Sequence, residues 1–299
     1  MPLLSRRALL RTGAVATVAG VAAVAGLETG VIPGRARVHD VVGLTGPDGV
    51  VPEVPAGPVE SGTFDSFGRG TTVGYSVVYP HGYSPSAELP VVLVLHGRGG
   101  DHTSAVNDLG IDRYLTAAVQ AGTPPFAMAT VDGGPDTYWH RRASGDDPGF
   151  MLAQEFLPLL ADRGLRTDRY GVLGWSMGGY GALLWVALHY FQRRVGPATR
   201  AAAVGALSPA LWREYDEVTP GAFDDVEDFE RSSVFGRTGF RDVAVRIDCG
   251  RDDPFARAAR ELREELHAAG GQQAGAHTPG YWRRMLPDHL RFLGGKLAG

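Results

Sequence analysis

The chain has 299 residues, 44% of them hydrophobic, and a formal net charge of −4. That length and apolar content suffice for one large α/β domain. The arginines are scattered rather than gathered into a stripe, which argues against nucleic acid as the principal partner. Cys249 is the only cysteine, so an intramolecular disulfide or a cysteine metal cluster is excluded and packing must hold the fold.

At the N-terminus, Arg6-Arg7 and Arg11 precede a small-residue apolar run from Ala14 to Ala25. This pattern predicts a twin-arginine signal over residues 1–25, with the export machinery as partner and a secreted or envelope-associated product. Ala23-Val24-Ala25 offers a cleavage site; an uncleaved anchor is the alternative. Residues 26–61, rich in valine, glycine and proline without periodicity, read as an extended spacer.

The domain is expected over 62–299. Thr71 to Tyr79 has the composition of a strand. Val91 to Leu95 is a continuous apolar run, the pattern of a strand buried on both faces of a parallel sheet. It enters His96-Gly97-Arg98-Gly99-Gly100, a loop that leaves backbone N–H groups free to stabilise an oxyanion, with the Arg98 amide as one donor. Val106 to Ala121 reads as a helix, Pro125 to Val131 as a strand, Phe150 to Leu160 as a helix and Ala201 to Leu207 as a strand. This alternation predicts a doubly wound α/β fold with a mostly parallel sheet and helices on both faces. Tyr138 and Trp139 either line a substrate pocket or pack beneath a loop. His140, beside Arg141 and Arg142, reads as a solvated or capping group, and no second ligand stands at metal spacing.

The centre of the pattern is Gly174-Trp175-Ser176-Met177-Gly178, between an apolar run and an apolar helical segment starting at Tyr180. Glycines let the two backbones pass closely at a sharp strand-to-helix corner, with Ser176 at its tip. Ser176 would be the nucleophile, the Met177 amide the second oxyanion donor and Trp175 a substrate contact. Residues 209–240 break the alternation, and acidic Asp224 to Glu230 suggests a short helix in a lid or a plain connection.

Val243 to Ile247 makes a further strand ending in Asp248-Cys249-Gly250-Arg251-Asp252-Asp253. Asp253 is the preferred triad acid, Asp252 the live alternative and Asp248 a distant third. A helix over Phe255 to Ala269 ends at Gly270-Gly271, and His277 follows in a loop. His39 lies outside the domain, His189, His267 and His289 sit in helical segments, and His96 and His102 border the oxyanion loop. His277 is therefore the expected base, in the chain order Ser176, Asp253, His277.

Together, His96-Gly-Arg-Gly-Gly, Gly174-Trp-Ser-Met-Gly-Gly and His277-x-x-x-Tyr-Trp resemble the esterase-D-type and mycolyltransferase-like branch of the α/β-hydrolases, over roughly residues 62–299. The resemblance implies the α/β-hydrolase fold and a serine esterase acting on a small-molecule or lipid ester, without cofactor or metal. It also raises two other readings, an acyltransferase on envelope lipids or sugars and a catalytically silent binding protein. Mycolyltransferases of this branch carry a glutamate as the acid; the aspartates here favour hydrolysis.

Overall fold

A computed structural model describes residues 43–188 and 200–298. The proposed export segment, residues 1–25, lies outside the described residues, as do His39 and His189. Pro47–Gly299 forms one compact unit.

That unit is built on an eight-stranded sheet in the order β1-β2-β4-β3-β5-β6-β7-β8. The strands are β1 (Val59–Ser66), β2 (Thr71–Val78), β3 (Pro90–Leu95), β4 (Ala127–Val131), β5 (Arg166–Trp175), β6 (Arg200–Leu207), β7 (Ala244–Gly250) and β8 (Ala269–Gln273). Strand β2 runs antiparallel to β1 and β4, and every other pairing is parallel. The all-apolar β3 shows why the sheet lies at the centre. Val91, Leu93 and Leu95 point into one core and Val92 and Val94 into the other, so each face must be roofed by helices.

Five helices lie on the first face: α3 (Pro148–Met151), continued by a π-helical turn (Leu152–Phe156) into α4 (Leu157–Asp162), then α5 (Met177–Ala187), α6 (Val226–Arg231) and α7 (Ala256–Glu265). The second face is covered mainly by α2 (Ile111–Gln120) and the long α8 (Pro279–Leu297), after the short α1 (Ser104–Asn107). No described helix is long and apolar enough to cross a membrane. The parallel strands all end toward one edge of the sheet, where the loops after β3, β5, β7 and β8 meet.

Several boundaries differ from the sequence reading. The single helix expected over 106–121 is two, because Gly110 adopts a left-handed φ of 71° and Val51 packs where a Cβ would stand. Strand β1 occupies the end of the expected spacer; its polar, glycine-containing sequence and its edge position leave no apolar run to read. Residues before it are also docked, with Gly49 N–H donating to Gly280 O at 2.8 Å and Tyr114 Oη donating to Val50 O at 2.8 Å. Strand β8 replaces the expected helix end at Gly270-Gly271. Gly270, at φ 95°, lies so close to Ile247 O that a Cβ would meet it at 2.2 Å, which makes the strand pairing dependent on glycine.

Asp248 braces this end of the sheet. It is fully buried within β7, with Arg246 Nε at 2.7 Å and His289 Nε2 of α8 at 3.0 Å, and it accepts from Gly271 N–H at 3.1 Å and Gln273 Nε2 at 3.0 Å. It is therefore a structural carboxylate, and the carboxylate that faces His277 is that of Asp253. Burial pushes its pKa up, but the contacts with His289, Arg246 and Gln273 together bring it down to about 2. A depressed carboxylate pKa gives stability that is present above the unfolded value, about 3.9, and is lost as pH falls through the folded value. Asp248→Asn should cost about 3 kcal/mol at neutral pH by removing the buried charge that balances the Arg246 guanidinium. In denaturant melts across pH, the gap from wild type should close between about pH 4 and 2; a gap constant with pH would contradict this role.

Candidate active site

The chain makes its sharpest bend at Ser176. Its φ of 55° and ψ of −121° lie outside the comfortable regions for a residue with a Cβ. Neighbouring glycines make the bend possible: a Cβ on Gly174 would stand 2.1 Å from Gly178 O, and one on Gly178 would stand 1.9 Å from Leu95 O. The corner is tied on both sides, with Ser176 N–H donating to Leu207 O at 3.0 Å and Ala210 N–H donating to Ser176 O at 3.0 Å. Met177 is the first residue of α5, so its N–H has no acceptor inside the helix and points with the helix dipole toward the serine end.

Two more loops converge on Ser176. The turn after β7 carries Asp253, and the loop between β8 and α8 carries His277, just before the Thr278 cap that accepts from Tyr281 N–H at 3.2 Å. Gly250 brings them together: its missing side chain leaves room for Gly275 O, 2.3 Å from where a Cβ would be. Asp252 N–H also donates to Gly275 O at 2.9 Å. The result is a continuous chain of contacts, His277 Nε2 to Ser176 Oγ at 2.8 Å and His277 Nδ1 to Asp253 Oδ2 at 2.8 Å. A carboxylate only accepts, so Nδ1 carries the ring proton and Nε2 is left to accept from the serine hydroxyl. The other oxygen of Asp253 accepts from Phe255 N–H at 2.9 Å. Asp253 is fully buried, whereas His277 keeps a quarter of its side chain exposed toward the cleft.

The glycine loop after β3 forms the opposite wall. Its shape is set from beneath by His96, which is buried, donates from Nδ1 to Gly97 O at 2.8 Å and accepts at Nε2 from Gly133 N–H at 3.0 Å. Burial lowers the pKa of that imidazole, which suits a neutral ring that both donates and accepts. Gly99 N–H donates to Pro135 O at 2.6 Å, and Trp139 Nε1 donates to His96 O at 3.2 Å. His102 also braces this region, with Nδ1 2.8 Å from Asp132 Oδ1. The cleft between loop and triad is a cavity of about 320 Å³ whose walls include Arg98, Trp175, Ser176, His277 and Trp282.

Tyr138 and Trp139 do not line this cavity. Both are buried in the core: Trp139 fills the space left by Gly133 and Gly181, and the Tyr138 ring packs against Tyr180, Trp212 and Phe223. Their part is support beneath the glycine loop after β3, and a position beside such a loop in sequence does not fix which way a side chain faces. His140 is likewise not solvated. It is buried, donates from Nε2 to Ala222 O at 3.0 Å and stacks on Phe223. Together with Arg142, which pairs with Asp224 at 2.8 Å, it fastens the 209–240 segment down.

The sequence reading missed Phe255. Its ring lies edge-on to His277, with centroids 5.3 Å apart, while Trp282 does the same at 5.1 Å from the other side. The only sign of either in sequence is position, directly after the acid and in the motif following the histidine. Cys249 is buried near Asp253, and burial and that charge push its thiol pKa up, so it stays neutral. Among the described residues no three His, Cys, Asp or Glu side chains gather at metal-binding geometry.

Comparison with known proteins agrees with this architecture. Residues 66–293 match the family described as "Putative esterase". Esterase Rv1288 of Mycobacterium tuberculosis is 27% identical over 265 residues, which cover 76% of this chain and 56% of that protein, so the chain spans just over half of that relative's length. Among solved structures, a ferulic acid esterase superposes with a TM-score of 0.68 at 20% identity, covering 82% of this chain and all of that one. The S-formylglutathione hydrolase FrmB of Staphylococcus aureus does so with a TM-score of 0.61 at 17% identity, covering 79% and 98%. The chain is therefore a member of the putative esterase family, with the α/β-hydrolase fold.

Proposed function

We propose that the protein is an exported carboxylesterase in which Ser176 is the nucleophile, His277 the general base and Asp253 the acid that orients it. The observation that carries this reading is the unbroken run of 2.8 Å contacts from Ser176 Oγ through both nitrogens of His277 to Asp253. As Oγ attacks the ester carbonyl, Nε2 takes its proton, and the buried carboxylate stabilises the imidazolium that forms. The developing oxyanion lies against the Arg98 and Met177 amides, held in place before the reaction and so costing little reorganisation. The imidazolium then protonates the departing alcohol, leaving an acyl group on Ser176. Water, deprotonated by Nε2, releases the acid and restores the enzyme. None of these steps calls for a metal or cofactor.

Export rests on Arg6-Arg7 and the apolar run after them. The test is nitrophenyl acetate hydrolysis in fractions of an expressing twin-arginine-competent bacterium. The wild type should place most activity outside the cytoplasm, and Arg6→Lys with Arg7→Lys should hold it inside at unchanged specific activity. An exported double variant would rule out the twin-arginine route, and an inert wild type would rule out the esterase.

A further inference from the structure

His277 stands on a loop with a quarter of its side chain exposed, and its ring bonds to Ser176 at one nitrogen and Asp253 at the other. On the esterase reading above, one of those bonds does not survive the first half of the reaction. Once the imidazolium has protonated the departing alcohol, Nε2 has no hydrogen, and Oγ, now bonded to the acyl carbon, has none either. The bond between them is gone at the stage when Nε2 must stand ready to deprotonate water.

A run of aromatic rings passes through the same imidazole. Trp175 lies 6.5 Å from Trp282, Trp282 5.1 Å from His277, His277 5.3 Å from Phe255 and Phe255 5.3 Å from Trp212, centroid to centroid, the last three edge-on. All four separations fall within the range of roughly 4.5–7 Å for attractive ring pairs. Both ends of the run return to the nucleophile. Trp175 directly precedes Ser176, and Trp212 stands two residues after Ala210, whose N–H donates to Ser176 O at 3.0 Å. Phe255 has a second hold on the triad, because its own N–H donates to Asp253 Oδ1 at 2.9 Å while its ring meets His277. One residue thus sets the acid and the base relative to each other.

We propose that Phe255 and Trp282 are positioning residues that hold the His277 ring in place through the acyl-enzyme, and so act on deacylation more than on acylation. In the free enzyme the bonds to Ser176 and Asp253 share that task with the rings. In the acyl-enzyme the bond at Nδ1 remains, and one bond leaves a ring free to swing about it unless its neighbours bound it. A displacement of about 1 Å at Nε2 is enough to cost up to roughly a hundredfold in rate.

Phe255→Leu keeps an apolar side chain and removes the flat ring. Phe255→Tyr keeps the ring, and its added hydroxyl has room in the adjoining cavity of about 430 Å³. Stopped-flow release of nitrophenol from nitrophenyl acetate separates the acylation burst from the steady state set by deacylation. Phe255→Leu should slow deacylation at least about tenfold and acylation by less than about threefold, so that kcat and KM fall together while kcat/KM stays near wild type. Phe255→Tyr should restore deacylation to within about twofold of wild type, and Trp282→Leu should repeat the pattern of Phe255→Leu. An unfolded fraction lowers the burst amplitude and leaves both rates per active site as they are, so misfolding does not imitate this result. Deacylation unchanged in Phe255→Leu, both steps slowed by the same factor, or Phe255→Tyr as slow as Phe255→Leu would overturn the positioning role while the esterase stands. A wild type inert on every ester would instead sink the esterase reading on which that role depends.

Discussion

Asp253→Asn should lower kcat by about 10⁴, whereas Asp252→Asn, one residue away, should stay within about threefold of wild type. The asymmetry comes from the turn after β7. The carboxylate of Asp253 is buried, accepts a hydrogen bond from the Nδ1–H of His277 at 2.8 Å and is fixed at its other oxygen by Phe255 N–H. An amide in its place would offer a donor or a weaker acceptor to Nδ1. The ring would then populate the tautomer in which Nε2 carries the proton, and a protonated Nε2 cannot take a proton from Ser176. The binding of a short ester does not depend on that tautomer, so KM should change little while kcat falls. Steady-state kinetics of the two variants on nitrophenyl acetate check this directly. An equal loss in both, or a larger loss at Asp252, would move the acid to the other aspartate.

That choice also marks how far the sequence carries. Ser176 and His277 are legible because their surroundings are constrained by close backbone approach: glycines at 174 and 178 are forced by the contacts of a tight corner, and chain order separates His277 from the helical histidines. The buried strands β3 and β6 are legible from their apolar runs. Asp252 and Asp253 are not separable by spacing, because both lie on one turn, and only the three-dimensional link from Gly250 to Gly275 determines which carboxylate faces the imidazole. Strands β1 and β8 escape notice for a related reason. Edge strands of polar and glycine residues take their structure from a neighbour, here β2 and β7, rather than from local preference. Tyr138 and Trp139 show the same limit for side chains: an aromatic pair next to a functional loop is as readily its support as its lining. Phe255 and Trp282, which flank His277, come from separate parts of the chain, and no linear pattern joins them.

Ser176→Ala is expected to be the most damaging single change, lowering kcat by about 10⁶. Removal of Oγ leaves His277, Asp253 and the two amides in place, so ester still binds, but no acyl-enzyme can form. What remains is water attack helped by the oxyanion donors, which accounts for a residual rate roughly 10³–10⁴ above the uncatalysed one. The fold should be unaffected, since alanine has the same Cβ at the strained corner and loses only the hydroxyl; unchanged melting behaviour would certify the comparison.

The most direct measurement is to mix enzyme with excess nitrophenyl acetate, quench in acid within the first turnovers and map the acyl group by peptide mass. The account predicts one acetyl group on Ser176 in the wild type, much less in His277→Ala and none in Ser176→Ala. Acetyl found on another residue, or undiminished turnover in Ser176→Ala, would contradict it.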